Sequence, residues 1–515
     1  MEKVVIGVDA GTTAVKAVAF SLSGEIIAAA HRSVPVQYGR NGEAEQSLHD
    51  IWQAVADGLV ELTDQLGDKQ VIGVGLTGQG DGAWLLDKNN EPLRNAAIWM
   101  DGRAGRRVEA WQADGRGQRV LDVTGTTIFP ALVPVLLEEF AEQDPLFLDS
   151  IGTLFHCKDW VRFKLTDELS TDYTEASRSF FNVGTGAGHD ARLAEDLGLS
   201  AVLGALPQIL PAEASGGVVT AAAAERTGLP AGIPVAVGMI DVAVTGPGLG
   251  AVNDGDAWLI LGTTGFIGTL LPSVEERRTD DSMVLATGRD RQVLEFLAPM
   301  TGTPNLDWIR TTLNFEDWAV AEAQARSAHA GAGGVVYLPY ASPGGERAPF
   351  LDPNASASWL GMSISTTPAQ ILRSVYEGVS FSLVECAEVL KIQGDLVVSG
   401  GGFRSDLICE ILADTTGSRV IRQDAPEAGA RGAATLALVA CGASPDIKGA
   451  AQMMLTSTSS FEPNTDHAEI YAKAYEVYRS SRDALRPAWS SMRALRALSD
   501  AQTDAETDEQ TGVDK

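Results

Sequence analysis

At 515 residues the chain is too long for one hydrophobic core and is expected to fold as two or three domains. An apolar fraction of 45% with 54 glycines excludes a disordered or fibrous chain and fits an α/β enzyme. A formal charge of −29 repels phosphate backbones and anionic membranes, which excludes nucleic acid and membrane as expected partners and favours a small neutral substrate.

Met1-Glu2-Lys3 leads straight into an apolar strand with no signal peptide ahead of it, and no apolar run approaches the roughly 18 residues of a membrane span. A cytoplasmic protein is expected. Residues 3–9, 14–22 and 25–31 read as consecutive strands, with Ser23-Gly24 turning between the last two. Between the first two lies Asp9-Ala10-Gly11-Thr12-Thr13, followed by Lys16. A carboxylate at a strand end, then a turn of small hydroxylated residues, can hold a phosphate–Mg²⁺ group: backbone N–H groups approach the phosphate, and Asp9 offers a hard oxygen ligand. An ordinary hairpin turn fits the same residues.

A helix is expected from about Leu48 to Leu66, with Ile51, Trp52, Val55, Leu59 and Leu62 on one face. The strand Val71–Leu76 follows. The GxGxxG at Gly73, Gly75 and Gly78 is not a dinucleotide fingerprint. Its first two glycines lie inside the strand, and Gln79-Gly80-Asp81-Gly82 follows in place of a helix. No Gly-Lys pair exists, so there is no Walker A loop, and the dispersed Cys157, Cys386, Cys409 and Cys441 and six histidines show no zinc spacing.

Farther on, Ile233–Gly238 reads as a strand and Asp241 lies just beyond it, either a helix cap or a base that accepts a hydroxyl proton. Gly246-Pro247-Gly248-Leu249-Gly250 is read as loosened chain at a domain boundary. The opening pattern then recurs about 250 residues later, as strand Ala257–Leu261, turn Gly262-Thr263-Thr264-Gly265 and strand Phe266–Leu271. After the strand Leu396–Val398, Gly400-Gly401-Gly402 with Ser405 opens a helix, and the glycines allow close approach of a ring or a phosphate. Glu427–Ala434 is read as the start of a helix under the nucleotide, and the acidic C-terminal segment as a disordered tail.

These elements, in this order, resemble the FGGY family of carbohydrate kinases, whose fold is related to those of actin and hexokinase. The resemblance runs from Val4 to about Arg486. It also takes in Tyr337–Tyr340, Gly345–Pro349, Ala357–Met362 and Gln370–Glu377. It implies an α/β chain of two ribonuclease H-like domains, mixed β-sheets covered by helices, with an interdomain cleft. The expected division is 1–248 for the N-terminal domain, 249–486 for the C-terminal domain and 487–515 for the acidic tail.

The same resemblance implies phosphorylation of a sugar or polyol hydroxyl by ATP with Mg²⁺. Asp241 matches the catalytic base, and Asp9 and Asp241 the metal-associated carboxylates. Gly11, Thr12, Thr13, Lys16, Gly262, Thr263, Thr264, Gly401, Gly402 and Ser405 match nucleotide positions. Gln79, Gly80, Asp81, Trp99, Asp101 and Arg103 match substrate-side positions, with Asp241. Glycerol kinases carry Arg-Glu and D-xylulose kinases usually Met-His where this chain has Gly80-Asp81. The Gln-Gly-Asp-Gly pattern is more similar to that of erythritol and L-xylulose kinases, with Asp81 accepting from two polyol hydroxyls and Trp84 or Trp99 walling the pocket. Alternatively Asp81 merely occupies a turn.

The best-matched substrate is a tetritol such as erythritol, and L-xylulose, D-xylulose or another pentulose is the alternative. A non-enzyme alternative, an actin- or chaperone-like ATPase or a sugar-sensing pseudokinase, is opposed by the intact Asp9, Asp241, Trp99 and Asp101. Oligomeric state is open, a homodimer included.

Overall fold

The computed structural model describes residues 1–499. The chain forms two compact units. The first comprises residues 1–258, 268–296 and 423–457, and the second residues 259–267, 297–422 and 458 onward. Among the described residues no helix is long and apolar enough to cross a membrane.

The first unit is built on a mixed sheet. Strands β1 (Lys3–Ala10), β2 (Ala14–Ser21) and β3 (Ile26–Ser33) form the expected antiparallel meander. The helix α1 (Leu48–Gln65), capped by Ser47, then leads to β4 (Gln70–Gly78). The unbroken apolar run of β1 is buried on both faces, as suits a strand with a neighbour on each side: β2 antiparallel and β4 parallel. Beyond β4 lie β5 (Ser215–Val218) and β6 (Pro234–Ala236), giving the order β5–β6–β4–β1–β2–β3. The two-residue strand Met239–Ile240 also pairs parallel with the end of β4. Leu48, Ile51, Val55, Leu59 and Leu62 of α1 cover one face of this sheet, as their spacing predicts.

The other face is covered by the helix Ala428–Ala440, and glycines make that possible. A Cβ on Gly7 would stand 1.8 Å from the Ala430 carbonyl oxygen, and one on Gly75 1.7 Å from that of Ala433. The strand glycines are therefore notches for a helix backbone, which is why a GxGxxG sits where no dinucleotide binds. The helix after Glu427 lies against the β1–β4 face, and its start stands beside Asp9, a Cβ on Gly429 lying 2.6 Å from Asp9 Oδ2.

Two expectations are corrected. Residues 246–250 are not loosened chain, because Gly246-Pro247-Gly248 closes the buried helix α2 (Asp241–Gly248). A Cβ on Gly248 would lie 2.4 Å from the Ala428 carbonyl, so small residues here serve close helix packing. Nor do residues 487–499 belong to a disordered tail. They are helical, and Trp489 is fully buried, its ring 5.4 Å from that of Tyr340 and 6.0 Å from that of Phe350. Aromatic burial outweighs the polar composition around it. Residues 500–515, the rest of the tail, lie outside the described residues. The compact units also cut across a division at 248/249, since residues 423–457 pack into the first unit.

The second unit carries most of β7 (Ala257–Leu261) and β10 (Val420–Gln423), the start of β8 (Gly265–Leu271), and all of β9 (Leu396–Ser399) and β11 (Thr458–Phe461), strands that pair in the order β8–β7–β9–β10–β11. Its long helix α3 (Pro368–Val389) begins with a capping box of Thr367 and Gln370. It is buried almost all round, Arg373, Glu377 and Glu385 included, because it runs through the unit's core. Tyr471, Tyr475 and Tyr478 of a C-terminal helix, Ala468–Leu485, complete that core.

Candidate active site

Three parallel strands of the first unit deliver the expected carboxylates together. Asp9 is the penultimate residue of β1, in register with Thr77 of β4; Asp81 follows β4; Asp241 follows Met239–Ile240, which pairs with Thr77 and Gly78. Side chains just past the carboxyl ends of parallel strands are where open α/β sheets bind ligands.

Asp9 and Asp241 are partly buried acids held in an uncomfortable state. Desolvation pushes Asp241 up to about 7, with the negative charge of Asp9 adding to it and the hydrogen bond from Val242 N (2.7 Å to Oδ1) opposing it. Asp9 is pushed up to about 6, again chiefly by desolvation, against the pull of Lys16. An anion at the start of α2 gains about 0.3–1 kcal/mol from the helix dipole. The rise at Asp241, at about 1.4 kcal/mol per unit, shows that burial and repulsion win. The backbone just before Asp241 is fixed by Thr174, whose Oγ1 donates to Asp172 Oδ2 (2.6 Å) and accepts from Ile240 N (3.0 Å).

The turn residues are tied to the substrate-side motifs. Thr12 Oγ1 donates to Gln79 Oε1 (3.1 Å) and accepts from Trp99 Nε1 (2.9 Å), and Gln79 Nε2 donates to Gln46 Oε1 (2.5 Å). Gly11 N donates to Ala14 O across the turn (3.1 Å), Thr13 is exposed, and Lys16 pairs with Glu427 at 2.7 Å. Trp99 keeps 38% of its surface exposed, whereas Trp84 is wholly buried in the sheet core and walls no pocket.

Asp101 and Arg103 lean on each other: Asp101 Oδ1 accepts from Arg103 N (3.0 Å) and Nε (2.8 Å), and Oδ2 from Arg103 Nη2 (2.7 Å) and Ala44 N (2.9 Å). Both oxygens are engaged, so this motif braces the loop. Asp81 differs. It sits in a left-handed turn (φ 59°) and accepts from Arg178 Nε through Oδ1 alone. Arg178 and Thr174 are hydrogen-bonded to this group of residues and were not singled out in the sequence. A dense polar stretch, Asp172 to Arg178, inside an apolar region was the available signal.

In the second unit, the Gly262-Thr263-Thr264 turn closes with Gly262 N donating to Thr264 O (3.1 Å). It packs so tightly on Gly302 that a Cβ there would lie 2.1 Å from Thr263 O. Thr303, bonded to Gly262 O, lines a cavity of about 790 Å³ together with Gly401, Gly402, Ser405, Trp318 and Tyr376. That volume suits a nucleoside. Ser405 also caps the helix Asp406–Thr416, accepting from Ile408 N (3.2 Å).

Among the described residues no group of three or more His, Cys, Asp or Glu is arranged to hold a metal. The recessed pair Asp9 and Asp241 nevertheless fits a divalent ion carried in with a nucleotide. Both are hard oxygen donors, the charge of Asp9 raises the proton affinity of Asp241, and a cation relieves that repulsion.

Comparison with known proteins identifies the family. The N-terminal domain of the FGGY family of carbohydrate kinases matches residues 4–248, and its C-terminal domain matches residues 257–441. The chain is 32% identical over 517 residues to the erythritol kinase of Brucella abortus, with 95% of this chain and 98% of that protein covered. It is 29% identical over 488 residues to a probable L-xylulose kinase of Pasteurella multocida, covering 93% and 99%. A ligand-bound xylulose kinase from Lactobacillus acidophilus has the same fold, with a TM-score of 0.88 at 24% identity over 95% of this chain and 100% of that one. The chain belongs to the FGGY family of carbohydrate kinases. It is a phosphotransferase that acts on an alcohol group, which answers the ATPase and sensor alternatives.

Proposed function

We propose that the chain transfers the γ-phosphoryl group of ATP to a hydroxyl of a small neutral polyol, best matched by a tetritol such as erythritol. The observation that carries this reading is Asp241: a carboxylate beyond a parallel strand end, its proton affinity raised to about 7, beside Asp81. A base poised near neutral pH takes a hydroxyl proton efficiently. Asp241 accepts the proton of the attacking hydroxyl and orients its oxygen. Asp81 accepts a hydrogen bond from a second hydroxyl, and Trp99 offers an apolar wall. Asp9 and Asp241 hold Mg²⁺, which when bound neutralises charge on the transferring group. The Gly262–Thr264 turn and the cavity at Gly401, Gly402 and Ser405 hold the nucleotide.

The likeness to erythritol kinase at 32% identity favours the tetritol, and the L-xylulose kinase relatives at 29% support a pentulose as the second reading. ADP release measured over tetritols, pentitols, pentuloses, hexuloses and glycerol tests both. Highest kcat/KM with a tetritol is expected; preference for a pentulose selects the second reading, and no stimulation by any of them removes both. Asp241→Asn is expected to lower turnover by about 10² or more. Near-normal turnover would strip Asp241 of its role.

A further inference from the structure

Arg178 lies just past the short helix Tyr173–Ala176 and is 1% exposed. Its Nε donates to Asp81 Oδ1 at 2.5 Å and its Nη1 to Thr126 Oγ1 at 3.2 Å, while its guanidinium stands 5.4 Å over the Phe129 ring. Nη2, equally shielded, has no acceptor. A buried guanidinium nitrogen without a partner is costly, and a ligand that accepts from it removes that cost.

The neighbourhood explains why an arginine from this segment is needed. A Cβ on Gly80 would lie 1.9 Å from Ile240 Cδ1, so Ile240 fills the space in which a side chain at position 80 would stand. No cation can reach Asp81 from its own turn. Arg178 supplies one from 97 residues away in sequence. The pair stands close enough to the base for the Asp81 charge to act on Asp241.

We propose that Arg178 is a specificity-determining residue for the acceptor: it fixes Asp81 through Oδ1, and the second Asp81 oxygen and Arg178 Nη2 together read two adjacent hydroxyls of a neutral polyol. A carboxylate only accepts hydrogen bonds and a guanidinium only donates them. One hydroxyl therefore donates to Asp81, and its neighbour's oxygen accepts from Arg178. The acceptor class is a vicinal diol, and removing either hydroxyl leaves a buried charged group unpaired. This inference rests on the functional reading above.

The test is steady-state ADP release by the full chain, using the best acceptor of the panel and its monodeoxy analogues. Arg178→Met is expected to raise acceptor KM roughly 10- to 100-fold, the loss of one charged hydrogen bond, with KM for ATP unchanged. It is also expected to erase the discrimination between parent and one deoxy analogue. Arg178→Lys keeps the charge without the fork, so part of the affinity returns and the discrimination does not. An unchanged acceptor KM in Arg178→Met overturns the proposal. So does an equal loss for the parent and every deoxy analogue, the result of a mere counter-ion. If thermal melting shows Arg178→Met unfolded, full discrimination retained by Arg178→Lys overturns it instead. Absence of ADP release by the wild type with every acceptor is a failure of the functional reading, distinct from these.

Discussion

Lys158, Asp159 and Asp172 are fully buried around short ion pairs, whereas Asp9, Asp81 and Asp241 stand at strand ends with oxygens to spare. Lys158 Nζ lies 2.7 Å from Asp159 Oδ1 and 2.9 Å from Asp172 Oδ1. The remaining oxygens accept from Thr171 Oγ1 (2.7 Å) and from Thr174 N and Oγ1 (2.8 and 2.6 Å). Lys158 and its neighbours hold the Asp159 carboxyl well below its usual range, while burial and repulsion push Asp241 and Asp9 above theirs. Glu175, fully buried as well, has neither oxygen hydrogen-bonded and is pushed well above its usual range by desolvation. Saturated charge fixes the scaffold. Unsaturated charge stays open to a ligand, at a cost in stability.

Substitutions can break this contrast. Lys158→Met removes the cation that Asp159 and Asp172 share and is expected to destabilise the first unit by about 3–5 kcal/mol, read by urea denaturation. A change within experimental error would place the pair outside the stability framework. Asp241→Asn should do the reverse. Asp241 takes up its proton near pH 7 when folded and near 3.8 when unfolded. The native state thus binds more protons between those values, and folding weakens as pH rises through them. The Asn variant is expected to be more stable than wild type at pH 8, by up to about 4 kcal/mol on 1.4 kcal/mol per unit, and no more stable at pH 3. Thermal melts at the two pH values check the sign.

Asp101→Asn sharpens the contrast between the two arginine-paired aspartates. Loss of its charged bonds to Arg103 is expected to cost about 1.5–3 kcal/mol of stability, with acceptor KM moving far less than in Asp81→Asn. Equal shifts in KM would make Asp101 a substrate contact after all. The smallest effect is expected at Ser405→Ala. A lost helix cap costs about 1 kcal/mol, and calorimetric titration with ADP should show weaker binding without any change in acceptor preference.

Local patterns were legible in the sequence: the meander, α1, the recurrence of the Gly-Thr-Thr turn, and Asp241 just past a strand. Each depends on residues within one or two elements. What stayed hidden depends on partners far along the chain. Arg178 belongs to no short motif, and its meaning comes from Asp81. Gly246-Pro247-Gly248 has the composition of a linker and is instead packed helix, because only contact with Ala428 and Trp258 shows why those residues are small. Asp101 fits a substrate motif, yet its oxygens are consumed by Arg103 and Ala44. Identity of a side chain is local, but whether its hydrogen-bonding capacity is already used is a property of the whole fold.

The glycine notches in β1 and β4 also dictate an order of events during synthesis. Gly7 and Gly75 leave the ribosome early, whereas the helix that fills their notches, Ala428–Ala440, comes more than 400 residues after Gly7. Until then one face of the first sheet lacks its cover, and the closing contact is among the most non-local in the chain. The nascent chain must therefore keep this apolar face from straying for most of its translation, and a ribosome that stops before Ala428 releases a sheet with no lid.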